Sequence, residues 1–291
     1  SIISIIFLVY CFKKKNFYFF KNKYFYFFLI FWIYLLTNSL VNNFNFDSLK
    51  ISFFYFRYGV FIIAIFALLC ANNKFIKYFF YFFFICFLIL ILDGFYQYFI
   101  GHNILGFKTD NSFRVSSFFN DENILGSYLS RLWPLFFGLS LLIVKKKQKL
   151  FFLIVLIFIL SETLIFLSGD RTAFFFINLS SIYIILFSRK LLKLRLFTVI
   201  ASIFLIVIIS LFNPTAKERV IDQTINDIYP KNETEKIYIF SQTHTSLYTS
   251  AYKMFIDNKI LGVGVKNFRN FCKDERYFVN EKKVCFTHPH N

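Results

Sequence analysis

The chain has 291 residues, of which 57% are hydrophobic, and phenylalanine alone accounts for 48. A soluble domain could not bury that much apolar surface, so the composition excludes a soluble globular protein and indicates an integral membrane protein. The formal net charge is +17. The lysines fall in short runs between apolar segments and form no continuous basic face, which argues against nucleic-acid binding.

Apolar segments of about 20 residues can cross the hydrocarbon core of a bilayer as helices. We therefore predict an all-α fold, a polytopic transmembrane helix bundle of about eight spans over 1–213. The long, polar segment 214–291 is expected to form a large, mostly helical loop on one side of the membrane. The predicted spans lie near 1–12 (partial), 24–41, 53–71, 78–100, 123–144, 150–168, 171–187 and 196–213.

The basic residues of the short loops predict the orientation of the bundle. Cytoplasmic loops carry an excess of Lys and Arg, and alternation of the predicted spans puts all the Lys- and Arg-rich loops on one side. The other loops, 42–52 and 101–122, and the segment 213–291 then lie outside. The basic loops are 13–23, 74–77, 145–149 and 189–195, and the last of them includes Arg195.

Between residues 150 and 187 the chain could turn only at Ser168-Gly169-Asp170-Arg171. A tight hairpin at the outer face fits the charge count, whereas one long broken helix would invert the last loop. We favour the hairpin, because Gly169 permits a turn and Ser168 or Asp170 can cap the following helix.

Apolar residues recur at helical spacing over 243–256 of the outer segment and predict a helix there. Residues 222–228 are a weaker helix candidate. Gly262 and Gly264 indicate a turn after the second of these helices.

Two of the four histidines, His288 and His290, lie in the last four residues. An imidazole, with a pKa near ~6.5, can take a proton from a sugar hydroxyl at neutral pH. Pro289 biases His288 towards an extended backbone, so the two rings would point in opposite directions. Two alternatives stay open: a loop with two solvated histidines, or a zinc site for which Cys285 is the nearest further ligand.

Arg171 is predicted to open a helix at the outer boundary of the membrane. A helix N-terminus favours anions, and a guanidinium matches phosphate oxygens. The alternative is an interfacial arginine paired with its neighbour Asp170. Arg114, in the outer loop 101–122, is a second candidate for the same role.

Other charged residues fall inside predicted spans, where charge is costly. Arg131 precedes Trp133-Pro134 in an apolar span, and Glu162 is its possible partner. A structural bridge and a substrate contact are equally consistent with this pattern. Arg57 in the third span is similar.

Cys272 and Cys285 both lie in the outer segment, where an oxidising compartment would let them form a disulfide. The bond would stiffen the approach to His290. The other cysteines, Cys11, Cys70 and Cys86, lie in apolar spans and are expected to be core residues.

The sequence has no glycine-rich phosphate loop, no dinucleotide fingerprint and no nucleophile elbow. An activated substrate must then arrive already attached to a carrier, and in a membrane that carrier is naturally a lipid.

Four segments in this order and spacing resemble the O-antigen ligase and O-antigen polymerase family of bacterial envelope polysaccharide enzymes. They are Arg114 to Phe119 running through Glu122 to Leu129, Ser168 to Ala173, Ala251 to Phe268, and Thr287 to Asn291.

The resemblance covers roughly residues 90–291 and implies a multi-span glycosyltransferase of the GT-C type. Such enzymes transfer a glycan from undecaprenyl diphosphate to an acceptor, which for the ligases is lipid A–core, without a metal or nucleotide cofactor. The resemblance places this chemistry at the periplasmic face of the bacterial inner membrane. It also implies a continuation past Asn291, and we expect the chain to be a fragment at both ends.

The resemblance further implies site residues. His290 would be the essential histidine, with His288 and Asn291 supporting it, and Arg171 and Arg114 would contact the diphosphate. A second family arginine, four residues before an aromatic, falls here on His244, with Tyr248 as the aromatic. His244 would then take over that contact, more weakly if it is neutral.

Different acceptors remain open within the family: a polysaccharide polymerase would extend another lipid-linked glycan, and a protein O-glycosylase would modify a protein. A lipid-linked glycan flippase is less favoured, because intramembrane charge is sparse and the polar residues are concentrated in one loop. A membrane protein without chemistry would leave the outer arginine and the terminal histidines unexplained.

Overall fold

The computed structural model describes residues 2–42, 46–72, 74–109, 114–120, 122–143, 148–187, 192–212, 214–228 and 242–279. Within these ranges the chain is mainly helical and forms no β-strand. The predicted all-α membrane helix bundle is confirmed. The helices are α1 (Ile2–Lys14), α2 (Lys23–Val41), α3 (Phe46–Phe54), α4 (Phe56–Ala71), α5 (Phe75–Ile100), α6 (Leu125–Ile143), α7 (Gln148–Leu167), α8 (Arg171–Phe187), α9 (Leu192–Phe212), α10 (Pro214–Lys217), α11 (Gln223–Ile228), α12 (Gln242–Asp257) and α13 (Phe268–Phe271).

Each predicted span coincides with helix, and the third corresponds to α4 with the end of α3. Among the described residues, three segments are both long and apolar enough to cross a bilayer: Lys23–Val41, Phe46–Ala71 and Phe75–Ile100. Many of their large apolar side chains are exposed, as Phe82 is at 69%. Exposed phenylalanines of this kind suit a lipid environment, where apolar surface has no water to avoid.

Residues 1–73 and 236–291 form one compact unit, called here the first unit. Its membrane part packs α1, α2 and α3 against α4 around Phe7, Phe25 and Ile63. The close approach of α2 and α4 depends on Gly59, because a Cβ there would overlap the ring of Phe28. A smaller cluster, which includes Leu247 of α12, belongs to the 242–279 part.

Residues 74–235 form the second unit, which contains α5 to α11. Its core is built from large side chains of α5, α6 and α7, with Phe87 stacked on Phe136 and Trp133 against Phe158. Helix α6 packs closely on α8. The domain boundary predicted at 213/214 separates the membrane spans from the outer segment, whereas the two compact units are defined by their internal packing. The boundary at 213/214 stays a prediction.

The core of the second unit contains a buried ion pair that corrects two expectations. Arg195 was assigned to a basic loop, but it lies in α9, is 1% exposed, and donates to Glu162 and Ser181. Its guanidinium also lies 5.4 Å from the centre of the Trp133 ring. Glu162 was expected to pair with Arg131, but Arg131 is exposed on α6. The pairing follows helix packing, because α7 contacts α9.

Arg57 also differs from expectation, because its position in the third predicted span suggested a paired charge inside the membrane. It is exposed near the start of α4 and donates to the hydroxyl of Tyr58 at 3.0 Å.

Candidate functional site

The predicted hairpin between α7 and α8 is present. Helix α7 ends at Leu167, α8 begins at Arg171, and the two helices pack against each other. Gly169 adopts φ +65°, a left-handed conformation that glycine takes at little cost. Asp170 accepts a hydrogen bond from the Ala173 backbone at 3.1 Å and so caps α8, as one of the two predicted alternatives.

Helix α6 reaches the hairpin through Gly126. A Cβ built on Gly126 would lie 2.9 Å from Cβ of Asp170 and 3.3 Å from Cβ of Ala173. Real Cβ atoms do not approach that closely, so only glycine lets the first turn of α6 touch the hairpin. Gly126 of the motif Gly126-Ser127-Tyr128 is therefore explained by packing.

Arg114 lies beside the hairpin, as its predicted role requires. Its Nε donates to the backbone carbonyl of Ser168 at 2.8 Å. A Cβ built on Gly169 would lie 3.5 Å from the same Nε. The structure thus brings Arg114 and the Ser168–Arg171 turn together across more than fifty residues of sequence.

Two polar side chains of α5 hold the segment that carries Arg114. Oε1 of Gln97 accepts from the backbone N–H groups of Ser116 at 2.9 Å and of Ser117 at 2.6 Å. One turn earlier, Asp93 accepts from the hydroxyl of Ser117 at 2.5 Å. Asp93 and Gln97 are both fully buried. Because buried polar groups are costly unless paired, these bonds fix the position of 114–117.

Arg219, which was not predicted from the sequence, also lies beside this turn. Helices α10 and α11 are joined by a π-helical segment, Glu218–Asp222, whose Val220 is buried in the core of the second unit. Arg219 precedes Val220, and its Nε lies 3.4 Å from where a Cβ on Gly169 would be. Within the described residues this buried Nε has no hydrogen-bond partner.

Arg171 is paired with an acid that the sequence analysis also missed. Its Nη1 lies 2.7 Å from Oδ2 of Asp227 on α11, rather than pairing with Asp170. Both side chains are 29% exposed. For Arg219, the signal in the sequence was the run Lys217-Glu218-Arg219 shortly after the last predicted span. Charged residues at a membrane boundary often belong to functional sites, and so do π-helical segments such as the one that contains Arg219.

Arg114 and Arg219 therefore place their guanidinium groups beside Gly169, and Arg171 is the last residue of the same Ser168–Arg171 turn. We call these three residues the arginine cluster. Asp227 is paired with Arg171, and Asp170 lies in the turn itself. Guanidinium donors bind phosphate oxygens in a fork geometry. The cluster can thus bind a group with several anionic oxygens.

His244 lies in the first turn of α12, in the first unit, and its ring centre is 6.2 Å from that of Tyr248. The spacing noted in the sequence thus puts the two rings side by side. His244 belongs to a different compact unit from the arginine cluster, and its predicted diphosphate contact stays a prediction.

The remaining predicted residues, His288, His290, Asn291 and Cys285, lie outside the described residues. Cys272 is disulfide-bonded, but its pairing with Cys285 stays a prediction. Of the free cysteines, Cys11 is buried as expected, whereas Cys70 and Cys86 are exposed on their helices.

Comparison with known proteins bears on the same part of the chain. The model of a family described as O-antigen ligase matches residues 153–291, which contain the hairpin, Arg171, Arg219 and the terminal histidines. No curated protein and no solved structure matches the chain. The family is one of glycosyl-transferring membrane enzymes, which agrees with the helical, apolar character of both units. The match over residues 153–291 supports the resemblance to the O-antigen ligase family that the sequence motifs indicated.

Proposed function

We propose that this protein transfers a glycan from undecaprenyl diphosphate to lipid A–core at the periplasmic face of the inner membrane. The observation that carries the proposal is the arginine cluster around Gly169. Three guanidinium groups at one hairpin suit a diphosphate, whose charge grows as it leaves the sugar.

In the proposed reaction, the oxygen of an acceptor hydroxyl attacks the anomeric carbon of the donor glycan. The bond from that carbon to the diphosphate oxygen breaks, and the diphosphate leaves with the electron pair. His290 takes the proton of the attacking hydroxyl, with His288 and Asn291 beside it. Arg171, Arg114 and Arg219 stabilise the departing diphosphate, and His244 adds a weaker contact when neutral.

The negative charge that develops on the leaving diphosphate favours arginines in this role. Donors arranged in advance around the place where negative charge develops lower the barrier without having to reorganise. Each loss of such a donor costs about 10²-fold or more in rate. Arginine stays charged at all relevant pH values, so the proposed reaction needs no metal ion to neutralise the diphosphate.

The test measures transfer from a lipid-linked donor in membranes that contain the protein. Arg171→Ala is expected to lower kcat/KM by about 10²-fold. His290→Ala is expected to abolish transfer while the donor still binds, because the base does not contact the diphosphate. Arg131→Ala, which removes an exposed arginine of α6, is the matched control and should behave as wild type. Wild-type transfer by His290→Ala, or unchanged donor kinetics in Arg171→Ala, would contradict the proposal.

A further inference from the structure

The first unit contains a cleft that the proposed reaction does not use. It has a volume of about 440 Å³ and lies along α3, the start of α4 and the turn before α13. Its lining combines three cationic side chains with one acid and several aromatic rings. The lining residues that matter here are Asp47, Lys50, Phe54, Tyr55, Arg57 and Lys266.

The charge of this cleft is positive. Lys50, Arg57 and Lys266 contribute three positive charges, and Asp47 offsets one. Within the described part of the chain, no ion pair involves Lys50 or Lys266. The cleft can therefore hold an anionic group without first breaking a bridge of either lysine.

Lys266 is held over α3 by a fixed turn. Asn42 donates through its amide to the carbonyl of Gly262 at 3.1 Å, and the hydroxyl of Ser48 donates to that of Val265 at 2.8 Å. Gly264, at φ +89°, approaches so closely that a Cβ would lie 3.1 Å from Cβ of Asn42. The turn is thus bound to the α2–α3 region at several points.

The backbone of Lys266 is itself strained. Its φ is +60°, a region that glycine or asparagine adopts readily and lysine does not. Such strain persists where the surrounding structure imposes it. The backbone of this turn would therefore accept glycine or asparagine more readily than the lysine that the chain has there.

The setting of the cleft points to a lipid rather than a soluble ligand. Helices α3 and α4 form the segment Phe46–Ala71, which is long and apolar enough to cross a bilayer. Phe54 is 53% exposed and Tyr55 37% exposed on the same segment. Apolar and tyrosine side chains beside basic ones match the boundary between acyl chains and head groups.

We propose that this cleft binds the phosphate of an anionic membrane lipid, with Lys50, Arg57 and Lys266 around the head group and Phe54 against the upper acyl chain. The inference does not depend on the proposed transfer reaction.

The test uses the purified protein in nanodiscs of phosphatidylcholine with a minor fraction of phosphatidylglycerol. Native mass spectrometry of the released protein measures how much of each lipid is retained. Each basic residue removed is expected to weaken phosphatidylglycerol binding about fivefold, since one such charge near a membrane surface contributes about 1 kcal/mol. Phosphatidylcholine retention should not change.

The decisive variant is Lys266→Asn, because asparagine accepts the left-handed backbone and removes only the charge. Thermal unfolding should therefore be unchanged or slightly improved while phosphatidylglycerol retention falls. Lys50→Gln tests the opposite side of the cleft, and Lys259→Asn, an exposed lysine outside the cleft, is the matched control. Wild-type phosphatidylglycerol retention in both Lys266→Asn and Lys50→Gln would overturn the proposal. Displacement of the lipid by millimolar inorganic phosphate would likewise overturn it in favour of a free anion.

Discussion

Arg171 and Asp227 form an ion pair across 56 residues of sequence, with Nη1 of the arginine 2.7 Å from Oδ2 of the aspartate. The pair joins the first residue of α8 to α11. Because both side chains are 29% exposed, its net contribution to stability is small, about 0–1 kcal/mol. The more important consequence is competition, because the Asp227 carboxylate occupies Nη1 of Arg171 and an anionic ligand competes with it for that donor.

We therefore expect Asp227→Asn to lower the KM for the lipid-linked donor by severalfold. An amide cannot compete with a diphosphate for the guanidinium as a carboxylate does. Steady-state kinetics with varied donor concentration would measure the effect. Asp222→Asn removes the same charge from the neighbouring π-helical segment and should leave KM near the wild-type value. A higher KM in Asp227→Asn would show that the carboxylate helps the arginine instead of competing with it.

Replacement of Arg219 tests the third member of the arginine cluster. Its buried, unpaired Nε beside Gly169 leads us to expect that Arg219→Ala lowers kcat/KM by about 10²-fold. Arg219→Lys should recover only part of this, because an ammonium is a point charge without the planar fork of donors. Equal activities of the lysine variant and wild type would mean that charge alone matters. Wild-type activity of the alanine variant would exclude Arg219 from the site.

Gln97 is expected to act as a positioning residue through Arg114. Gln97→Leu removes the acceptor for two backbone N–H groups at 116 and 117 and should raise the donor KM more than it lowers kcat. In an Arg114→Ala background the same substitution should have little further effect on KM. Such a double-mutant cycle separates positioning from a general loss of structure. Additive effects on KM would contradict the assignment.

The buried pair of Arg195 and Glu162 should govern stability. Glu162→Ala leaves the guanidinium uncompensated in the core, and we expect a loss of about 3–5 kcal/mol. Replacement of both partners, Glu162→Leu with Arg195→Met, should recover most of that loss, because the two apolar side chains need no partner. Thermal unfolding in detergent would measure both. Glu218→Gln, at an exposed position, is the control and should shift the melting temperature little.

Local patterns in the sequence were sufficient for the helices and for the hairpin. Apolar runs located every predicted span, because a lipid solvent requires continuous apolar helix wherever the chain crosses it. Gly169 and the capping Asp170 located the turn between α7 and α8, since both act through their own backbone. The turn at Gly262 and Gly264 was predictable for the same reason.

The partners of the charged residues could not be read in this way. Glu162 was considered as a possible partner of Arg131, and Asp170 as the alternative partner of Arg171, because those residues were near in sequence or shared a predicted depth. The structure pairs them instead with Arg195 and Asp227.

The sequence by itself therefore determined that this is a helical membrane protein and where its predicted spans lie, but not the helix α3, which occupies much of the predicted outer loop 42–52. It also supplied the arginines and histidines from which a transferase site is proposed. Only the tertiary structure decided that Arg114 and Arg219 lie beside the turn that carries Arg171, and that Arg171 pairs with Asp227. The physical reason is range: helix formation and membrane insertion depend on neighbours within a few turns, whereas an electrostatic site depends on which helices pack together.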